Sequence, residues 1–105
     1  MQVINYNIIK TGEIAGSLSI EQLPDIPCVM VKIKAKAGNS GKVYVGGASV
    51  TVVDGETDTT TGYQLVASAD TDWLYIGNLN QLYAICDTGG DGLVYIALMS
   101  KITAA

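Results

Sequence analysis

Three residue types are missing from the 105-residue chain: histidine, arginine and phenylalanine. Without histidine there is no imidazole to move a proton near neutral pH, so Ser–His and Cys–His nucleophile pairs and His-ligated zinc sites are excluded. Without arginine there is no planar fork for bidentate contacts to phosphates or base edges. The six cations are all lysines, against ten acidic residues and a net charge of −4. That balance argues against nucleic acid and against an anionic membrane surface as partners. No apolar run approaches the ~20 residues of a membrane span. The opening MQVINYNIIK lacks a basic stretch followed by a long apolar one, so no secretory signal is expected and assembly in a cytosol is. Cys28 and Cys86, the only cysteines, are expected to be reduced, small apolar residues of the core.

Charged residues make up 15% and apolar residues 49% of the chain, which is too apolar for disorder. The length suits one domain with one core and no need for a metal or disulfide. So little charge on so small a domain implies that a partner covers part of its apolar surface.

Helical periodicity is poor, and twelve glycines punctuate short runs rich in Val, Ile, Tyr and Thr. The clearest strand is Val29 to Ala37. Val29, Val31, Ile33, Ala35 and Ala37 fall on one face, and Met30, Lys32, Lys34 and Lys36 on the other, so one face is buried and the other meets water. Val3 to Ile9 reads as a first strand or an N-terminal arm within residues 1–10, and Thr11 to Gly16 as a turn. Further strands are expected at Ser17–Glu21, Lys42–Gly46, Ser49–Val53, Tyr63–Val66, Trp73–Gly77, Leu82–Cys86 and Leu93–Met99, followed by a short tail. The polar stretch Asp54 to Gly62 reads as an exposed tip. The sum is an all-β domain of about eight short strands, a jelly-roll or related Greek-key β-sandwich.

Four segments resemble chemistry. Ala84-Ile85-Cys86-Asp87-Thr88-Gly89 resembles the signature of retroviral-type aspartic proteases, small all-β homodimers in which two aspartates share a proton. In that family most of the fold follows the motif, whereas here sixteen residues follow Gly89. Asp and Gly are also what a tight connection requires, and that reading suffices. Asp87, Asp91 and Gly92 match three positions of a calcium loop, but Gly89 and Leu98 stand where two oxygen ligands belong, so Asp87 and Asp91 are weak metal candidates. Asp54, Glu56 and Asp58 alternate in the polar stretch, where a solvated loop is the simpler reading. Gly38-Asn39-Ser40-Gly41-Lys42 is too short for a phosphate loop. No catalytic residue and no cofactor is expected.

A longer resemblance covers residues 38–99. Asn39-Ser40-Gly41-Lys42-Val43-Tyr44-Val45-Gly46, then Gly62-Tyr63-Gln64-Leu65, then Leu79-Asn80-Gln81-Leu82-Tyr83-Ala84-Ile85, and a final Val94-Tyr95, form a cadence that resembles small β-sandwich structural proteins of tailed-bacteriophage virions. The resemblance implies a capsid decoration, or cement, protein: a non-enzymatic dimer or trimer on the outer head surface that bridges major capsid protein subunits. An alternative within the same family is a head-fibre or tail-tip module that binds host glycans through Trp73 and the Asp54–Gly62 loop. The aspartic-protease reading is a remote third.

Overall fold

The computed structural model describes residues 2–52 and 62–104, with side chains described for residues 9–52 and 62–99. Seven strands form two antiparallel sheets. The first sheet has the order β1 (Gln2–Ala15), β7 (Gly92–Ala104), β3 (Met30–Ala35); the second has the order β2 (Glu21–Gln22), β6 (Tyr83–Cys86), β4 (Val43–Gly46), β5 (Tyr63–Leu65). Residues 69–76 lie along the free side of β3 without becoming a regular strand. They touch it at the bridges Lys34↔Asp70 and Val31↔Leu74, with Leu74 and Val31 exchanging both backbone bonds at 2.7 and 2.9 Å. With that eighth position filled, the strand order is that of a jelly roll, as expected from the sequence.

Period-2 patterning builds the core. Val31, Ile33 and Ala35 of β3 and Leu93, Tyr95 and Ala97 of β7 point inward and are buried, while the lysines of β3 point out. Opposite them stand Val43, Val45, Leu65, Ala84 and Cys86 of the second sheet. β4 departs from simple alternation: Tyr44, between two inward valines, is also buried.

The structure corrects several boundaries. Thr11 to Ala15 is not a turn but the inner end of β1, paired with β7 down to Ala15↔Gly92. Gly12 is there for packing: a Cβ at this position would meet the Tyr95 ring, 2.6 Å from its Cζ. Ser17 to Ile20 carries exposed Leu18 and Ile20 and connects the sheets, and only Glu21–Gln22 is strand. Residues 49–52 form no strand, although Val50 is buried. In 69–76 the strand fails locally because Asp72 adopts φ 62°. The Thr71 hydroxyl replaces a backbone acceptor there, taking the Ile33 N–H at 3.1 Å.

The last residues are not a tail. β7 continues to Ala104 and pairs with β1 as far as Gln2↔Ala104, across a one-residue bulge in β1 between Asn5 and Ile8. The opening residues are therefore strand. β3 ends opposite Leu98 and Met99 still packs on the core, so the residues beyond it and their β1 partners leave the sandwich as a two-stranded ribbon. At ~3.4 Å per residue the ribbon projects about 20 Å, which accounts for the long axis of the molecule, 54 × 25 × 19 Å overall.

The thiols of Cys28 and Cys86 are buried and unpaired, and burial raises both pKa values, with the negative charge of Asp91 adding to the rise at Cys86. Both are predicted to resist a thiol-specific disulfide reagent in the native state and to react at the rate of unfolding; fast labelling of either in buffer would contradict this packing.

Candidate functional site

Jelly-roll order gathers the connections at two ends. At one end, residues 36–42 meet residues 87–92, the two segments whose sequences most resembled chemistry. Their polar groups bind each other. Both carboxylate oxygens of Asp91 accept backbone N–H groups, from Ser40 at 2.9 Å and from Gly41 at 2.7 Å. The side-chain amide of Asn39 acts as a second backbone toward Gly92, donating to its carbonyl at 2.8 Å and accepting its N–H at 3.0 Å. Asp87 accepts from the Lys42 N–H at 2.8 Å and from the Thr88 hydroxyl at 3.0 Å. A Cβ on Gly41 would collide with Asp87 and Thr88, and one on Gly16 would lie 2.6 Å from the Asp91 carbonyl oxygen. Asp91 is 5% exposed, the one buried charged side chain among the described residues. Its charge is matched by N–H donors, which is what a buried carboxylate needs.

This arrangement bears on each candidate. The oxygens of Asp91 and one oxygen of Asp87 face N–H or O–H hydrogens, the opposite of what a cation ligand presents. Among the described residues no three His, Cys, Asp or Glu side chains gather as a metal set. Asp87 is exposed at a loop and bound to its neighbours. Asp54, Glu56 and Asp58 lie outside the described residues. Trp73 is partly exposed, with Lys32 Nζ 5.1 Å from its ring centroid, a cation–π contact.

At the other end, Asn78 organises the connection between β5 and β6. Its side-chain oxygen takes the Ile26 and Asn80 N–H groups at 3.1 and 2.9 Å, and it caps the 3-10 turn Leu79–Gln81. This too is structural work.

The surface that remains is the outer face of β1-β7-β3. Strand pairing sets it out in rows: Glu13–Val94–Lys34, then Thr11–Ile96–Lys32, then Ile9–Leu98–Met30. Charge lies at one end and aliphatic side chains at the other. An open hollow of about 490 Å³ sits over the first two rows, with Asp70 at its margin. Ile9 is 56% exposed. Gly92 has no side chain to block Lys36, which crosses β7 to pair with Glu13, the one salt bridge among the described residues. Sequence reading passed over this face, although a signal was present. Leu93 to Met99 is apolar at every position, and an antiparallel strand wet on one face would alternate.

No family model, curated protein or solved structure matches this chain.

Replacing Asp91 with Ala strands two N–H donors and is predicted to cost about 3 kcal/mol of unfolding free energy in urea titration. Asp91→Asn is predicted to destabilise as well, because its NH₂ would face an N–H. Neither calcium nor a chelator is expected to move the Tm. A calcium-dependent rise in Tm that disappears in Asp91→Ala would make this loop a metal site instead.

Proposed function

We propose that this chain is a structural assembly protein, and specifically a capsid decoration protein of a tailed phage, binding the outer head surface and stabilising the lattice of the major capsid protein. The observation that supports an assembly role is the ribbon of β1 and β7. A two-stranded ribbon is marginal in water on its own. This one extends about 20 Å beyond the sandwich and continues a sheet face whose central strand is apolar on both sides. Protein surface is the natural cover for such an element.

The energetics fit the role. A cement protein contributes no chemistry; it binds the assembled lattice and not its dispersed subunits, and so stabilises the lattice by mass action. The polar clusters at both ends of the sandwich tie connections together, which leaves a rigid body able to transmit load between the subunits it bridges. The resemblance of residues 38–99 to small virion proteins supplies the phage assignment. The glycan-binding alternative relied on Trp73, and one neighbour of that ring is already Lys32. The protease alternative relied on Asp87, whose carboxylate is bound by the Lys42 backbone N–H and the Thr88 hydroxyl.

Purified protein is predicted to co-sediment saturably with capsid shells of the phage that encodes it, at a fixed ratio to the major capsid protein, and to raise the temperature at which the shells disrupt. Shells that sediment without it, under conditions where it is folded, would overturn the cement reading.

A further inference from the structure

The outer face of β1-β7-β3 is self-complementary. Across it, each row runs from β1 through β7 to β3. The charged row places Glu13 on one side of Val94 and Lys34 on the other. The next places Thr11 and Lys32 either side of Ile96, and the next is wholly apolar, Ile9–Leu98–Met30. Beyond the sandwich, register sets Ile4 opposite Ile102. Of the lysines in and just after β3, Lys36 is held by Glu13 and Lys32 lies over Trp73. Lys34 has no carboxylate partner among the described residues.

We infer that a second copy of this chain packs the same sheet face against this one, about a two-fold axis parallel to β7. That rotation exchanges the two sides of each row and keeps its level. Glu13 of each copy then lies over Lys34 of the other. Val94, Ile96 and Leu98 of the central strand meet their own equivalents, and in the ribbons, which project in the same direction, β7 runs over β7 while the two β1 strands lie to opposite sides. The hollow over the first two rows receives the Lys34 side chain of the other copy. Sheets packed face to face at ~10 Å keep their strands within about 30°, which this rotation allows.

From strand spacing and rise, the three-stranded part and the β7 strand of the ribbon together cover roughly 450 Å² per copy, or about 900 Å² in all, the size of a weak, reversible interface. An isologous contact of this kind closes on itself and leaves no further edge to propagate. The inference deepens the assembly reading by naming the contact between copies, and it stands or falls separately from binding to the head.

The test is the mass in solution of the purified full chain, by sedimentation equilibrium, with three changes to the face. The unchanged protein is expected to move toward twice the chain mass as its concentration rises through about 100 μM. Lys34→Glu places like charges opposite each other and is expected to weaken self-association about tenfold or more, as is Glu13→Lys; the double exchange restores it. Ile96→Cys, on the axis, is expected to cross-link to a dimer on mild oxidation, while Ser40→Cys in the distant connection does not. Because the charge variants sit on the surface, circular dichroism is expected to show them folded. A monomer at all concentrations, a trimer, or a dimer indifferent to both charge changes would overturn the inference. A monomer that still saturates capsid shells would overturn this contact and leave the cement reading standing; a dimer that ignores the shells would do the reverse.

Discussion

The structure depends on the position of β7. It pairs with β1 on one side and β3 on the other, and those two strands are not paired with each other. Twelve of its thirteen residues find a partner in β1 and six in β3. Its inward side chains, Leu93, Tyr95 and Ala97, belong to the core, and its outward ones, Val94, Ile96 and Leu98, form the central stripe of the exposed face. One strand thus carries both the stability of the first sheet and the surface proposed for association. Because the partners are remote in sequence, the fold is rich in long-range contacts of the kind that slow folding.

The ends of the sandwich answer a related problem. Short connections that cross between sheets carry backbone N–H and C=O groups with no strand to pair them, and such groups are costly to bury unpaired. Asp91, Asn39 and Asp87 satisfy them at one end, and Asn78 with Gln81 at the other. Small residues at Gly16, Gly41 and Gly92 let the segments approach. The carboxylates and glycines that resemble catalytic or metal motifs therefore have their chemistry directed inward, toward the chain itself. Both uses require the same residue types, since an Asp that accepts two N–H groups and an Asp that binds calcium offer the same oxygens; the distinction lies in what the fold brings to face them.

Much of the fold is legible in the sequence because hydrophobic period and turn chemistry are local. The alternation from Val29 to Ala37 states which side of β3 is buried, and the glycine-rich stretches after Ala37 and Cys86 mark real connections. What local reading misreads has tertiary causes. Thr11-Gly12-Glu13 looks like a turn, but Gly12 is a strand residue kept bare for the Tyr95 ring. Residues 100–104 look like a tail because their strand partners lie almost a whole chain length away, at residues 2–5. Trp73 to Gly77 alternates like a strand, yet Asp72 and Thr71 divert the backbone beside β3. The candidate site is less legible than the fold: its residues are ordinary aliphatics and lysines, and they become a surface only when β1, β7 and β3 are set side by side.

The central claim is that the ribbon and the sheet face from which it extends are held in place by association. Amide hydrogen exchange, resolved by residue and followed across protein concentration, tests it most directly. The account predicts that amides of residues 2–5 and 100–103 exchange rapidly in dilute protein and slow sharply as copies associate, while those of Leu93 to Ala97 stay protected throughout. Ribbon amides as slow as the sandwich at the lowest concentration would contradict it, since the ribbon would then be stable without a partner.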